Sequence, residues 1–452
     1  MKYSLVYWDL FTLSGLARLL HRTIVIKSFY VLLRRSTFLR NVATLVSGSA
    51  LAQLVGLACA PILTRLYTPE EFGLLGIFMA VSAVAATIAT LRYDLAIILP
   101  RKDASAWSLL RLAGSWTIVA VLLALIVLYP LRYSLAELVD APGLARYFVW
   151  LPLLVLTSGW LSLATHWGIR KKRFRALSTT AVSTCVLGNS YKIGGGLMGF
   201  GGGVLIVGTF IQQAVHLAVL AFQLRKEIPA EPYDSAEAWA QAREHRSFPL
   251  YRMPQDALAS FAYNLPNLLL AAYFSPVVVG FFLLAHRVVQ APIGLIREAV
   301  RQVFYQQATE LHHAGVDLLR ATIRMTLGLG AICVPLVALL WLLGPQFFGF
   351  VFGAEWAIAG SYAQPLALMV AAAVCNTPSV VVIPIIGKNA GLLIYELFAT
   401  GLRVCALILG GLFLSAHTTV WIFCLVSAFA NLCLITWVLK SLKSRKNEQS
   451  TS

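Results

Sequence analysis

The sequence predicts an all-α membrane protein that crosses the bilayer about twelve times, in two halves of six helices each. Of its 452 residues, 59% are hydrophobic and only 12% are charged, and the mean hydropathy is +0.77. A water-soluble domain needs more polar surface than this to cover its core. The apolar residues also occur in uncharged blocks of about 20, the length at which a helix crosses the ~30 Å hydrocarbon layer.

The apolar blocks place the twelve spans in order along the chain. An even number of spans puts both termini on the same side of the membrane. The spans are predicted at about 42–63, 72–92, 112–131, 147–166, 176–197, 204–224, 254–273, 278–296, 325–343, 363–386, 392–414 and 419–439.

Basic residues test this order, because Lys and Arg are enriched in cytoplasmic loops. Of the 36 Lys and Arg residues, 30 fall in the terminal segments and in the alternate loops that share their side. The opposite side holds only Arg65, Arg132 and Arg146, and the remaining three lie within spans. This bias predicts that both termini are cytoplasmic.

The same map divides the chain into five segments. Residues 1–41 form a basic cytoplasmic segment, 42–224 the first six-helix half, 225–252 a cytoplasmic linker, 253–440 the second half and 441–452 a cytoplasmic tail. No cleavable signal peptide is evident at the start. The first segment is either a basic amphipathic stretch on the inner membrane face or a dispensable tail added by an upstream start codon.

A weak internal repeat supports the two halves. YTPEEFG at 67–73 recurs as FSPVVVG at 274–280, at an offset of 207 residues. GIRKKRF at 168–174 and GKNAG at 387–391 occupy equivalent turns after the fourth span of each half. In the first pair, Pro begins a helix and Gly permits close packing. Duplicated halves are the usual construction of transporters that alternate access around a central site.

Several other classes of site are not supported. The net charge of +17 would suggest nucleic acid in a soluble protein, but here the basic residues mark span ends, so no nucleic-acid partner is expected. None of the seven cysteines forms a CxxC pair and the histidines lack metal-ligand spacing, so neither a metal nor a cofactor is predicted. The glycine run at 194–203 lacks the Lys-Ser/Thr ending of a phosphate loop.

Three stretches resemble one known family. SGSALAQLVGLACAPILTRLYTPEEFGLLGIF through LRYDLAIILP, at 47–100, resembles the opening of bacterial polysaccharide biosynthesis membrane proteins. These are the O-antigen translocase-like oligosaccharide flippases of the multidrug/oligosaccharidyl-lipid/polysaccharide exporter superfamily. FFLLAHRVVQAPIGLIREAVRQVF at 281–304 resembles the family's eighth span and the helix after it, and FGAEWAIAGSYAQPL at 352–366 resembles an outer turn. The resemblance covers roughly residues 36–440.

This resemblance implies a V-shaped bundle around a central cavity in the bacterial inner membrane. The implied activity is moving an undecaprenyl-diphosphate-linked sugar unit to the outer leaflet, for the synthesis of the O-antigen of lipopolysaccharide, of capsule or of exopolysaccharide. The polyprenyl tail would stay in lipid while the head group passes through the protein. The implied partners are this glycolipid and membrane lipids, with the polysaccharide polymerase and chain-length proteins as further candidates.

Charges inside spans are the leading candidates for the site, since each costs about 2.5–3.5 kcal/mol at the bilayer centre on insertion scales. Arg287, Arg403 and Lys192 are predicted to give the cavity a cationic wall that holds a diphosphate and acidic sugars. The alternative is a buried ion pair, and Glu396 lies seven residues before Arg403 on the same helix face. For Arg287 the functional interpretation is favoured, and for the other two both stay open. Glu396 is also the candidate for ion coupling.

Polar residues in the helices expected to line the cavity form a second set. They are suited to hydrogen bonds with sugar hydroxyls, and helix–helix hydrogen bonds explain them equally well. Arg65, within TRLYTPEEFG, is a candidate head-group contact at the outer mouth, whereas Arg92 and Asp94 are expected to form an anchor or a gate salt bridge. The polar set within spans 1, 7 and 8 is Gln53, Asn264, Asn267 and Gln290.

Two alternative functions are weighed against this interpretation. A cation-coupled multidrug exporter of the same superfamily needs acidic residues in its cavity, but the deep spans offer only Glu396 against three basic residues. A membrane-embedded glycan polymerase or ligase needs a substantial outer loop with catalytic residues. The outer loops here are short and carry scattered charges, so the protein is not expected to be an enzyme.

Overall fold

The computed structural model describes residues 37–138, 142–229, 234–313 and 318–451, and all regular structure within these residues is helical. The predicted N-terminal segment lies almost wholly outside them. The helices are α1 (Thr37–Leu66), α2 (Pro69–Ala89), α3 (Tyr93–Ala96), α4 (Asp103–Leu128), α5 (Arg132–Leu138), α6 (Trp150–Arg170), α7 (Phe174–Leu197), α8 (Gly203–Leu224), α9 (Ser235–Glu244), α10 (Met253–Tyr273), α11 (Pro276–His313), α12 (Leu318–Phe352), α13 (Ala357–Cys375), α14 (Thr377–Ile385), α15 (Asn389–Phe413) and α16 (Ala416–Thr451).

The all-α, multi-pass membrane fold is confirmed. Within the described residues, nine stretches of helix are long and apolar enough to cross a membrane. Helices α6, α7 and α10 are of similar length, with 21, 24 and 21 residues, but carry polar side chains such as Ser158, Asn189 and Asn264 inside them. These three helices make up the difference between the nine spans and the twelve predicted from the sequence. The total of twelve spans stays a prediction.

Several predicted loops are helical instead. The connection predicted at 297–324 is mostly helix, because no proline or glycine interrupts residues 295–314 and α11 therefore continues to His313. Similarly, α12 extends to Phe352 into the outer connection, and the linker at 225–252 contains α9. The predicted tenth span is divided at Asn376 into α13 and α14.

The same helix pairings occur in both sets of six long helices. We refer to α1–α8 as the first half and to α10–α16 as the second half. In the first half, the contacting pairs are α1–α7, α2–α6, α4–α6, α6–α8 and α7–α8. In the second half, the equivalent pairs, in the same order, are α10–α15, α11–α13, α12–α13, α13–α16 and α15–α16. The halves meet mainly through α2, which packs against α10 and α11. This recurrence supports the duplication that the sequence repeat suggests.

The repeated Pro and Gly residues form the junction between the halves. We call the end of the bundle that holds the α1–α2 turn the outer end, after the orientation that the charge bias predicts. A Cβ on Gly73 would lie 1.7 Å from the carbonyl oxygen of Pro276, and a Cβ on Gly280 would lie 1.9 Å from that of Pro69. Each glycine therefore packs on the proline of the other repeat, the reciprocity that a two-fold relation between like units requires.

Aromatic side chains fill the space beside this crossing. Trp356 is 1% exposed and donates a hydrogen bond from Nε1 to the carbonyl oxygen of Thr64, at 2.8 Å. Its ring packs edge-on against Phe72 of the first half and Phe281 of the second, with centroids 5.0 and 5.9 Å apart. The outer end is thus closed by an apolar core shared by both halves.

Candidate functional site

Arg287 lies between helices of both halves. It is eleven residues into α11, or ~16 Å from the start of that helix and about halfway across a ~30 Å hydrocarbon layer. Its guanidinium covers Gly56 of α1, where an added Cβ would lie 2.9 Å from Nη2. Solvent nevertheless reaches the side chain, and within the described residues it forms no hydrogen bond or ion pair. A free guanidinium at this depth is available for an anionic ligand.

Lys192 brings a second positive charge to the same region. It lies on α7, is half-buried, and donates from Nζ to Oε1 of Gln212 on α8 at 3.3 Å. The charges of Lys192 and Arg287 repel each other directly, and no carboxylate in the described part of the chain pairs with either. Two of the three cations singled out in the sequence are therefore near enough to interact, and an anion between them would relieve their repulsion.

Glycines at Gly56 and Gly208 make this arrangement possible. A Cβ on Gly208 of α8 would lie 2.8 Å from Cγ of Lys192, and a Cβ on Gly56 would lie 2.9 Å from Nη2 of Arg287. Cys185 lies beside the pair, with its Sγ 3.2 Å from the carbonyl oxygen of Ala52. The cations were predictable from their charge within apolar spans, whereas these small residues carry no charge or motif that would mark them.

The predicted polar residues occupy α1, α10 and α11. Gln53 is exposed one turn from Gly56, and Gln290 lies 3.5 Å from the ring of His286. Asn264 is bound to its own helix, donating to the carbonyl oxygen of Ser260 at 2.8 Å. Oδ1 of Asn267 is buried without a partner within the described residues. Gln53 and Gln290 thus lie within about one helical turn of the Gly56–Arg287 contact, and Asn264 makes the intrahelical bond.

Arg65 belongs to the outer end rather than to this cationic region. It is exposed, and its Nη2 donates to the carbonyl oxygen of Phe350 at 3.4 Å, which ties α1 to α12. Two residues later, the Tyr67 hydroxyl donates to the carbonyl oxygen of Lys192 at 2.6 Å. Burial, with the nearby charge of Glu71, raises the pKa of Tyr67 to about 12, so this phenol keeps its proton at neutral pH.

Arg403 and Glu396 are placed apart from the other candidates. They lie on α15, which packs against α10 and α16. Arg403 is half-buried, whereas Glu396 is exposed beside the exposed Leu397 and Phe398. Within the described part of the chain the two do not form an ion pair, although both act electrostatically on Tyr395. The structure therefore does not bring Arg403 to Arg287 and Lys192.

The expected link between Arg92 and Asp94 is present, with Nη1 and Oδ2 3.7 Å apart. Arg92 also contacts Asp256 of α10, with Nε and Oδ2 2.8 Å apart. This second contact could not be predicted from the sequence, because 163 residues separate Arg92 from Asp256. Asp256 carries only the general pattern of an acidic residue in the first turn of a helix.

The fold and its membrane-length helices define a multi-pass membrane protein. The chain belongs to the polysaccharide biosynthesis protein family, whose model matches residues 62–360. It is 24% identical over 390 residues to the succinoglycan biosynthesis transport protein ExoT of Rhizobium meliloti (strain 1021), covering 84% of this chain and 75% of the relative. The family resemblance seen in the sequence is therefore confirmed.

Solved structures of two kinds share the fold. The lipid II flippase MurJ in an inward closed conformation superposes with a TM-score of 0.68 at 12% identity, covering 88% of this chain and 87% of MurJ. An inward-facing multidrug resistance transporter of the MATE family, from the MOP superfamily, gives 0.57 at 16% identity, covering 89% and 95%. At these identities the likeness is one of fold, and it confirms the predicted all-α polytopic fold.

Proposed function

We propose that this protein is a flippase that moves an undecaprenyl-diphosphate-linked sugar unit across the bacterial inner membrane for surface polysaccharide synthesis. The chain would work as two six-helix halves, 42–224 and 253–440, joined by the linker at 225–252. Both termini would be cytoplasmic, as the distribution of basic residues favours. The O-antigen of lipopolysaccharide, capsule and exopolysaccharide are the product classes to be tested, and the polymerase and chain-length proteins are the candidate partners.

The observation that carries this proposal is the pair of cations at Arg287 and Lys192. Two mutually repelling positive charges without a carboxylate partner in the described residues are costly inside a membrane. A diphosphate offers several anionic oxygens that a guanidinium can bind in bidentate fashion and an ammonium as a point charge. Drug cations would be repelled from the same place, so the charge distribution favours an anionic head group over multidrug export.

The helices around the two cations suit a head group that keeps its lipid tail outside. Arg287 contacts α1 while its own helix, α11, belongs to the second half. A ligand bound between α1, α7 and α11 would therefore touch both halves, and its binding would depend on how they are arranged. Gln53 lies three residues before Gly56, and Gln290 lies three residues after Arg287. Each is within about one helical turn of the cation site, so their amides are candidates for hydrogen bonds to the first sugar.

The test is translocation of a polyprenyl-diphosphate glycan in proteoliposomes that contain the full chain. We expect Arg287→Ala to slow translocation by about 10–100-fold, because charge-assisted hydrogen bonds contribute roughly 1.5–3 kcal/mol. Arg287→Lys should recover part of the rate, since it restores the charge but not the bidentate fork. The control is Arg132→Ala, which removes a half-buried arginine whose Nη1 donates to the carbonyl oxygen of Tyr129 in its own turn.

The outcomes separate the candidate functions. Equal rates for Arg287→Ala and the control variant would remove the cation pair from the mechanism. Failure of the wild-type protein to move any polyprenyl-diphosphate glycan, together with export of cationic drugs, would replace the flippase by a multidrug exporter. Cleavage or transfer of the glycan by the purified chain would instead indicate a polymerase or ligase.

A further inference from the structure

A second cluster of charges lies at the end of the bundle opposite the Gly73–Gly280 crossing. We call this the inner end. Helix α2 ends there in two consecutive non-glycine residues with left-handed backbone, Leu91 at φ 50° and Arg92 at φ 60°. Such conformations are strained and persist where surrounding contacts hold them in place. The short helix α3 then begins, and it contains Asp94.

Asp94 is completely buried and bonded by side chains from two helices. Thr90 donates its hydroxyl to Oδ1 at 2.9 Å, and Ser162 of α6 donates to Oδ2 at 2.6 Å. Nδ1 of His166, one turn after Ser162, is 3.7 Å from the same Oδ2, and so is Nη1 of Arg92. Each oxygen of this buried carboxylate therefore accepts a hydrogen bond from a hydroxyl group.

The hydrogen bonds of His166 identify the nitrogen that can take up a proton. Nδ1 lies 2.8 Å from the carbonyl oxygen of Ser162. A carbonyl only accepts, so Nδ1 carries the hydrogen in the neutral ring and Nε2 is the basic nitrogen. Protonation at Nε2 would place a full positive charge on the ring that faces Asp94.

Arg92 connects this buried site to the second half. Its Nε is 2.8 Å from Oδ2 of Asp256 on α10, and Nε of Arg252 is 3.0 Å from the same oxygen. With His166 neutral, the two carboxylates Asp94 and Asp256 balance the two guanidiniums. A proton on His166 gives the cluster an excess positive charge that repels Arg92.

We propose that Asp94 and His166 form a proton-binding site at the inner end, and that its occupancy controls the Arg92–Asp256 contact between the two halves. Binding and release of a proton there would couple a proton gradient to the arrangement of the halves. This role was predicted for Glu396, which is exposed on α15. The coupling role rests on the proposed transport function, whereas the binding of a proton does not.

Other charged groups face this region from the elements packed around α3. Arg170 of α6 donates from Nη1 to the carbonyl oxygens of Ile97 and Ile98, at 3.0 and 3.2 Å, and its Nε is 2.8 Å from Oδ1 of Asp103 on α4. Lys171 pairs with the other oxygen of Asp103. Arg170 and Lys171 thus have Asp103 as their carboxylate partner.

The test measures the distance across the inner end in the purified full-length protein. Spin labels at Arg101 in the first half and Tyr251 before α10, both exposed, would report the distance with the seven native cysteines replaced. We expect the mean distance to differ between about pH 5 and about pH 8. His166→Gln should hold the distance at its value for about pH 8 at both conditions, and Asp94→Asn should abolish the shift.

The matched control is His216→Gln, which changes a membrane-embedded histidine of α8 and should shift as the wild type does. Persistence of the shift in both His166→Gln and Asp94→Asn would overturn the proposal. A distance that responds to sodium at constant pH, and not to protons, would overturn it in favour of a sodium site. The distance measurement uses no glycan, so it tests the proton-binding site even if the translocation assay rejects the flippase proposal.

Discussion

The two ends of the bundle join the halves by different physical means. At the outer end, Gly73 and Gly280 let backbones touch across the α2–α11 crossing, and Trp356 fills the space beside them. At the inner end, Arg92 and Asp256 join the turn between α2 and α3 to α10 through charge. Shape complementarity is insensitive to salt and to pH near neutrality, whereas an ion pair responds to both.

This contrast indicates which end is suited to respond to a chemical signal. An apolar, close-packed crossing separates only when the whole surface is exposed. A charged contact next to a buried carboxylate and a histidine changes its strength when one proton binds. The inner end is therefore the part of the junction at which protons can bias the two halves, and the cationic pair at Arg287 and Lys192 lies between the two ends.

The largest effect that follows from this comparison is expected at the glycine crossing. Gly280→Ala would place a methyl group 1.9 Å from a backbone oxygen, which no side-chain rotation can relieve. Overpacking commonly costs about 1–3 kcal/mol, and we expect a loss of free energy of unfolding at or above that range. Thermal unfolding in detergent and yield of folded protein in membranes would measure it.

A matched glycine on the same helix supplies the control. Gly294 of α11 has open space where a Cβ would be, so Gly294→Ala should be neutral or stabilising by up to about 1 kcal/mol through helix propensity. Equal stability of Gly280→Ala and Gly294→Ala would show that the halves do not meet at the glycines.

A smaller effect is expected at the inner end, and it should depend on salt. Asp256→Ala removes the shared partner of Arg92 and Arg252, and we expect a loss of about 2 kcal/mol at low ionic strength. Added salt should reduce the difference from wild type, because these side chains are partly accessible to solvent. Glu355→Ala removes an exposed acidic residue near the outer end and should show little change at any salt concentration. A loss that is independent of salt would contradict an ionic contact.

The sequence predicts the architecture well because membrane helices are specified by local composition. Block length and the position of basic residues located the long helices, and the repeat at 67–73 and 274–280 marked the residues that meet in the structure. The predicted helix ends are wrong where a helix continues beyond the hydrocarbon layer, as α11 does to His313. Hydropathy indicates where a helix meets lipid and not where it ends.

The candidate site was predictable only in its charged members. Arg287 and Lys192 are conspicuous in apolar surroundings, and the structure brings them together. The contact of Arg92 with Asp256 depends on how distant helices pack, which a single sequence does not record. The same limit explains Arg403, whose depth in its helix was evident but whose helix lies elsewhere in the bundle.

The smallest effect concerns Tyr67 and separates the outer end from the inner end by its pH dependence. Tyr67→Phe removes the hydrogen bond to the carbonyl oxygen of Lys192, and we expect a loss of about 1 kcal/mol at neutral pH. The pKa of Tyr67 is raised from 10.0 to about 12, so the folded state holds this proton more tightly than the unfolded chain. The contribution is then fully present below about pH 10 and is lost as the pH rises towards about 12.

Thermal unfolding of wild type and Tyr67→Phe from about pH 8 to about pH 11 would follow this loss as a narrowing difference between the two proteins. Tyr251→Phe, at a 75% exposed position, is the control and should match wild type throughout. A difference that stays constant to the highest pH would mean that the phenol is not buried against Lys192. If the stability difference between wild type and Tyr67→Phe began to narrow near neutral pH, the outer end would itself be sensitive to protons. That result would contradict the assignment of proton sensitivity to the inner end.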